Sequence, residues 1–186
     1  MIIGSIDVGI VNMGFCLFDS DTCRVTHVEL INLLFVPGNA RRLHYGDKSA
    51  VFLVKRAIDA RQHLFRQCDV IGIEKQMTRK MIIIQFALES VLAGLCTVFQ
   101  ISPRSVKTVF NTSRGNHTKN KHAAIRRMYD MLDADGREKF NRFRKKDDVA
   151  DAILQAMYIA KKYDFLMTQK IKACSVPTKK RKRKRK

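Results

Sequence analysis

The order of the apolar runs constrains the fold of this chain more than any other feature. Three short runs, at residues 2–8, 13–18 and 25–36, are separated by segments rich in turn residues such as DSDT and PGN. Short apolar runs joined by tight turns are typical of neighbouring antiparallel strands. The first third of the chain therefore predicts a three-stranded meander.

A different rhythm follows the meander. A helical pattern at 48–67 leads into a buried strand at 68–74, and a helix at 78–95 separates that strand from another at 97–101. A strand, a helix and a strand in this order favour parallel pairing with a crossover helix. The segment from 102 to 122 is polar and basic with turn residues, and further helices are predicted at about 119–132 and 147–163. The predicted fold is α/β, a mixed five-stranded sheet flanked by helices.

The charge of the chain points to a polyanionic partner. Its 186 residues carry a formal net charge of +19, and the last eight, KKRKRKRK, are all basic, which leaves 19 − 8 = +11 for the rest. Because neutralising phosphates releases condensed counterions, such a field favours nucleic acid. We expect one domain at residues 1–165 and a basic tail at 166–186, disordered at its end.

Composition argues against several other classes of protein. Five cysteines without a CxxC pair favour reduced thiols over a disulfide framework or a zinc site. The N-terminus lacks the basic start and cleavage site of a signal peptide, so we expect the chain not to be secreted. The most apolar stretch, around 81–100, contains Glu89 and is better interpreted as a core or interface helix than as a membrane span. No membrane partner and no small-molecule cofactor are expected.

Four acidic residues stand at the ends of predicted elements. Asp7 and Glu74 end apolar strands, and Asp148 and Asp151 share one face at the start of the last helix. Each has an ordinary alternative: a turn residue, a surface ion pair, or a helix cap, which also fits Asp147. Together they favour a cation site, because converging carboxylates repel each other and oxygen-only ligands suit Mg²⁺ or Mn²⁺. An acidic metal pocket on a basic protein predicts a nuclease that hydrolyses phosphodiesters.

The motifs that carry these acids resemble a known family. SIDVGIVNMGFCLFD, VIGIEKQM and DDVADAI, in that order, are similar to the three acidic motifs of RuvC-type Holliday junction resolvases in the RNase H-like superfamily. IDVGIVNMG followed by SPRSVK, TKNK and KKDDVADA looks most like the poxvirus branch. The resemblance covers about residues 2–163.

That resemblance implies a fold, an activity and a partner. It implies an RNase H-like domain that cleaves four-way DNA junctions by paired symmetric nicks, with 5′-phosphate and 3′-hydroxyl ends. The symmetry of such a junction implies a homodimer with two active sites. A poxvirus relative would act in the host-cell cytoplasm.

It also implies roles for individual residues. The metal ligands would be Asp7, Glu74, Asp148 and Asp151, with Mg²⁺ as cofactor and Mn²⁺ as a substitute. Basic residues near the scissile phosphate would include Lys119 or Lys121. We expect DNA contacts from four further side chains, Lys107, Arg104, Lys145 and Lys146.

Three other functions remain open from the residues. The chain could be an RNase H-like nuclease for hybrids, flaps or other branched substrates. It could be a non-catalytic basic DNA-binding protein whose acids are caps and ion-pair partners. An actin-like ATPase would also use a DVG turn, but it needs two such domains where this chain has one. Cleavage of a synthetic junction in Mg²⁺ separates the nuclease hypotheses from the others.

Overall fold

A mixed five-stranded sheet forms the centre of the protein. The computed structural model describes residues 1–35, 46 and 49–174, with side chains described up to Tyr163. The strands are β1 (Ile2–Asp7), β2 (Met13–Asp19), β3 (Arg24–Ile31), β4 (Val70–Glu74) and β5 (Thr97–Ile101). They lie in the order β3-β2-β1-β4-β5, with antiparallel pairing from β3 to β1 and parallel pairing from β1 to β5. The predicted meander and parallel strands are confirmed.

Seven helices of the described residues cover the two faces of this sheet. They are α1 (Ala50–Asp59), α2 (Gln62–Phe65), α3 (Arg79–Leu92), α4 (Pro103–Phe110), α5 (His117–Met131), α6 (Ala134–Asn141) and α7 (Asp147–Cys174). The first three helices pack on one face, where Leu53, Ile58 and Leu88 are buried. The other four pack on the opposite face around Met128 and Ile153. Within the described part of the chain, no helix is both long and apolar enough to cross a bilayer.

Two predicted boundaries were wrong. The third strand ends at Ile31 and not near residue 36. The helix predicted over 48–67 is broken into α1 and α2, because Arg61 leaves helical geometry with φ −125°. Its guanidinium donates to Glu29 at 2.8 Å and to the Ala57 carbonyl at 3.1 Å, which fixes the break against β3.

Two helices were not predicted, and one is longer than predicted. Pro103 opens α4 and the left-handed Asn111 (φ 52°) ends it, so the segment expected to be irregular is partly helical. Asp133 caps α6 by accepting from the Gly136 amide at 2.8 Å. Helix α7 continues past the predicted end at Tyr163 to Cys174. Residues 175–186 lie outside the described residues, so the domain boundary and basic tail stay predictions.

Small residues let α7 lie close against the sheet. A Cβ added at Gly14 of β2 would come within 2.3 Å of the Asp148 carbonyl oxygen, and one at Gly72 of β4 within 2.4 Å of Ile159 Cδ1. Between them, the buried Ser5 hydroxyl of β1 donates to the Ala152 carbonyl. These three contacts fix the path of α7 across β2, β1 and β4. They place its first turn against Gly14, which pairs with Asp7 at the end of β1.

Candidate active site

The four acidic residues identified in the sequence meet at one edge of the sheet. Asp7 and Glu74 are the last residues of the parallel strands β1 and β4, directly after the paired Ile6 and Ile73. The first turns of α7 bring Asp148 and Asp151 to the same edge, and the charges of both affect the Asp7 carboxyl. The carboxyls of Asp7 and Glu74 lie within hydrogen-bonding reach of each other. Acids far apart in the chain therefore form one partly buried cluster.

The pKa values of two of these carboxyls show that the cluster repels negative charge. Burial, followed by the charge of Glu74, raises the pKa of Asp7 well above its ordinary value. Burial and then Glu74 also raise the pKa of Asp151, to about 6, although the Lys107 ammonium works in the opposite direction. Both shifts favour a bound positive charge or a proton over two adjacent anions.

Lysines neutralise the acids at the start of α7. Lys145 forms an ion pair with Asp148, and its Nζ also lies 3.3 Å from an oxygen of Asp147. Asp147 pairs in addition with Lys121 of α5. Burial alone would raise the pKa of Asp147, but the hydrogen bond from Lys121 holds it below its ordinary value. Asp147 thus has two lysine partners, Lys121 and Lys145, whereas its neighbour Asp148 pairs with Lys145.

A chain of amide side chains holds Glu74 from behind. Gln76 Nε2 donates to Glu74 Oε2 at 2.8 Å, and the backbone N–H of Gln76 donates to Gln85 Oε1 at 2.7 Å. Nε2 of the buried Gln85 donates to Glu89 Oε1 at 2.8 Å, and the same oxygen accepts a hydrogen bond from Gln100 Nε2 at 2.9 Å. Gln76 therefore limits the rotation of the Glu74 carboxylate and leaves its other oxygen, Oε1, without a hydrogen bond from Gln76.

The donor set fits a hard divalent cation. All four side chains offer carboxylate oxygens. Of these four, Asp148 forms an ion pair with Lys145, and the other ion pairs of Lys121 and Lys145 are with Asp147. No three acidic, histidine or cysteine side chains of the described chain already stand in ligating positions. Two of the acids are engaged with neighbours instead, Asp148 with Lys145 and Glu74 with Gln76. An ion would be held by Asp7, Glu74 and Asp151. Asp148 would become a fourth ligand if Lys145 released one of the Asp148 oxygens.

A basic groove lies between α4 and α5. These two helices also carry Lys107, whose charge acts on Asp151, and Lys121, which pairs with Asp147. The cavity has a volume of about 790 Å³. Its basic lining comprises Arg114, Lys119, His122, Arg126 and Arg127, and Asp130 is the one acid among the residues that line it. The five basic side chains are exposed, so this groove presents a cationic surface of the kind that phosphate backbones bind.

The other predicted basic residues occupy different positions. Lys107 of α4 lines a small cavity together with Glu74 and Asp151. It therefore lies at the acidic cluster itself, although the sequence predicted only a DNA contact for it. Arg104 is exposed on the same helix. Lys146 lies over the Phe140 ring at 5.3 Å and donates to Asn141 at 3.3 Å.

Sequence reasoning missed several residues of this region. Gln155 lines the small cavity with Glu74 and Asp151, one turn after Asp151 on α7. Its signal was a polar residue beside the apolar stripe of that helix. Gln76 lies in the motif VIGIEKQM, but its contact with Glu74 was not predicted. The arginines of the groove belong to no motif, because their positions depend on where α5 packs.

Comparisons with known proteins identify a family for this chain. The model of a family described as poxvirus A22 protein matches residues 1–162. A search of curated protein sequences gives no significant match.

Three solved structures share the fold. A fowlpox virus resolvase in complex with substrate Holliday junction DNA is 18% identical with a TM-score of 0.62, covering 88% of this chain and 99% of that one. Thermus thermophilus RuvC in complex with a Holliday junction substrate is 16% identical with a TM-score of 0.57, covering 89% and 96%. The yeast mitochondrial Holliday junction resolvase Ydc2 is 19% identical with a TM-score of 0.59, covering 90% and 85%. The chain therefore has the RuvC-like, RNase H-type fold.

Proposed function

The chain belongs to the poxvirus A22 protein family, and from this premise we propose that it is a metal-dependent endonuclease that cleaves four-way DNA junctions by paired symmetric nicks. Its biological substrates would be viral DNA concatemers and recombination intermediates. The similar fowlpox virus and Thermus thermophilus proteins were solved with Holliday junction DNA, which supports branched DNA as the partner.

One observation carries the proposal: the carboxylates of Asp7, Glu74, Asp148 and Asp151 lie together. The two helices that form the basic groove, α4 and α5, reach this cluster through Lys107 and Lys121. The groove would bind the phosphate backbone, and the carboxylates would bind the cation next to the scissile phosphate. Bound Mg²⁺, or Mn²⁺ in its place, would activate a water and stabilise the leaving oxygen of an in-line displacement.

The residues of this chain would prepare that reaction. Gln76 would hold Glu74 with one oxygen available, and α7 would present Asp151 from the opposite side. Lys107, which lies in the cavity of Glu74 and Asp151, is the basic side chain best placed to reach a phosphate bound there. Lys119 would bind backbone phosphate in the groove, and Lys121 would hold Asp147 away from the cation.

A homodimer is part of the proposal because two symmetric nicks require two sites. The outer side of α3 and the neighbouring α1 expose large apolar side chains, with Ile83 at 45%, Phe86 at 57% and Val51 at 51% exposure. Such a cluster is typical of protein interfaces. We expect Phe86→Glu to weaken the dimer in sedimentation experiments and to convert paired nicks into single nicks. Thr97→Glu, which adds the same charge at an exposed position of β5, is the control.

The test is a cleavage assay on the full chain. Purified protein is incubated with Mg²⁺ and either a synthetic mobile four-way junction or a linear duplex of the same sequence. Symmetric nicks in the junction, absent from the duplex and lost in Asp7→Asn, are the expected result. Binding without cleavage in any divalent cation would leave a non-catalytic DNA-binding protein.

Further substrates separate the second nuclease hypothesis. An RNA–DNA hybrid and a flap are tested at the same enzyme concentration, and preferential cleavage of either would favour an RNase H-like activity. We also propose action in the host-cell cytoplasm. Imaging of the tagged protein in infected cells tests this, and accumulation in the nucleus would contradict it.

A further inference from the structure

A small cavity adjoins the carboxylate cluster and is lined in part by Glu74 and Asp151. Its volume is about 30 Å³. Its polar lining comprises Glu74, Lys107, Thr112, Asp151 and Gln155, and its apolar lining comprises Pro103, Val106 and Leu154. A volume of this size accommodates about one water molecule with several polar partners. The cavity is therefore a compartment with polar and apolar walls, and two of the proposed cation ligands, Glu74 and Asp151, line it.

Gln155 has an unusual position in this compartment. The side chain is buried, with 2% exposure, yet its Oε1 has no hydrogen-bond donor among the described residues. Burying an amide oxygen without a donor costs free energy, so such groups are rare in folded proteins. The other buried glutamine of the described chain, Gln85, has partners for both its oxygen and its nitrogen. Gln155 thus carries a cost that Gln85 does not.

The missing partner must be a hydrogen-bond donor. The ionised carboxylates of Glu74 and Asp151 only accept. Lys107 and Thr112 also line the cavity and could donate, but neither forms a hydrogen bond with Oε1. A hydrated divalent cation supplies donors, because Mg²⁺ keeps several waters when it binds to one or two carboxylates. Gln155 lies one helical turn after Asp151, so both residues face the same side of α7.

We propose that Gln155 is a positioning residue whose Oε1 accepts a hydrogen bond from a hydration water of the cation held by Glu74 and Asp151. The inference rests on the proposed function, because that function places a cation at these carboxylates. Outer hydrogen bonds of this type orient the ligands of an ion, and their loss typically weakens affinity or activity by about 10- to 100-fold.

The test compares thermal unfolding and Mg²⁺ titration of full-length variants at pH 8. In Gln155→Met the carbonyl is replaced by a side chain of similar length, and Gln155→Leu is a second variant. Without cation, both should unfold at a temperature about 2–4 °C above wild type, since an unpaired buried acceptor is removed. Gln85→Met should unfold at a lower temperature than wild type, since it breaks paired bonds. With cation, the Gln155 variants should need about tenfold more Mg²⁺ for half-maximal stabilisation.

Different results would contradict the role of Gln155 and the proposed metal-dependent nuclease function. If wild type is stabilised by Mg²⁺, Asp151→Asn is not, and both Gln155 variants respond as wild type does, the role of Gln155 is overturned while the cation site stands. Lower stability of both metal-free Gln155 variants would also overturn it, because Oε1 would then have a partner within the protein. If Mg²⁺ neither stabilises wild type nor supports cleavage, the proposed function itself fails.

Discussion

The Asp148 carbonyl oxygen lies where Gly14 would carry a side chain: a Cβ added at Gly14 would come within 2.3 Å of it. Gly14 pairs with Asp7 across β1 and β2, so the glycine stands beside one proposed ligand and beneath another. A Cβ atom does not come within 2.3 Å of a backbone oxygen in folded proteins. The clash would be with the backbone of α7, which cannot move aside as the end of a flexible side chain could. The separation between the strand acids and the helix acids therefore depends on the absence of a side chain at this position.

Gly14→Ala should displace the first turns of α7 and separate Asp148 and Asp151 from Asp7. We expect cleavage of the junction to fall by more than about 100-fold, because displacements of about 1 Å at a catalytic centre have effects of this size. Stability should fall by about 1–3 kcal/mol through overpacking. Junction affinity, measured by gel shift without divalent cation, should change little. Gly94→Ala is the control, since nothing lies within 4 Å of a Cβ there, and it should cleave as wild type does.

The sequence predicted that these four acids lie together, but not which neighbouring side chains contact them. Asp7 and Glu74 could be assigned because strand ends are visible in apolar runs, and parallel pairing brings such ends to one edge. The spacing of Asp148 and Asp151 showed a shared helical face. The ion pair of Lys145 with Asp148 depends on side-chain rotamers and on the close path of α7. No local pattern encodes these.

The same limit applies to the parts of the fold that were missed. Helix α6 is short, and its cap Asp133 also forms an ion pair with Arg24 of β3. The helix breaks at Arg61 because the Arg61 guanidinium donates a hydrogen bond to Glu29, which lies 32 positions earlier in the chain. Both features are fixed by contacts between distant segments, whereas the strands and long helices are fixed by periodicity along the chain.

Asp151→Asn should abolish cleavage while leaving junction affinity largely intact. The substitution removes one anionic ligand but keeps the size of the side chain, so the fold and the basic groove should not change. We expect the cleavage rate to fall by several orders of magnitude. Single-turnover cleavage and gel shift on the same junction measure the two effects. Asp130→Asn, which removes an acid from the groove, is the matched control and should cleave at the wild-type rate; nicking by Asp151→Asn at that rate would exclude Asp151 as a ligand.

The stability of the metal-free protein should fall as pH rises through about 6. Because the pKa of Asp151 is raised to about 6 and that of Asp7 is also raised, the native state keeps protons that the unfolded chain has already released. The stabilisation is therefore complete below the ordinary carboxyl pKa and is lost as pH passes the native value. A tenfold difference in proton affinity between the native and unfolded states corresponds to about 1.4 kcal/mol of stability.

Chemical denaturation of wild type and Asp151→Asn between pH 4 and 8 isolates this contribution. The variant has no carboxyl to ionise at residue 151, so its free energy of unfolding relative to wild type should increase with pH over this range. Addition of Mg²⁺ should remove most of the pH dependence of wild type, because a bound cation compensates the same charges. A difference between the two proteins that stays constant with pH would mean that Asp151 titrates normally.

Lys145→Met should lower the Mg²⁺ concentration needed for cleavage. The Lys145 ammonium neutralises Asp148 and thereby competes with a cation for its oxygens. Removing that charge should lower the Mg²⁺ midpoint several-fold, although stability without cation should decrease. Lys55→Met is the control, because its ion pair with Asp59 lies on α1, on the opposite face of the sheet. A higher Mg²⁺ midpoint in Lys145→Met would indicate that the lysine assists the site and does not compete with the cation.

The basic groove between α4 and α5 should bind phosphates in a way that appears in the salt dependence of junction binding. Arg126 and Arg127 line the groove, are exposed and lie outside every motif of the sequence. Replacing both by glutamine should reduce the slope of log affinity against log salt by about 0.9 for each phosphate that the groove no longer neutralises. The rate at saturating junction should stay within about twofold of wild type, since these arginines line the groove and not the carboxylate cavity. The control pair Lys55→Gln with Arg66→Gln removes the same charge from the opposite face; an equal reduction of slope there would mean that net charge, and not the groove, determines binding.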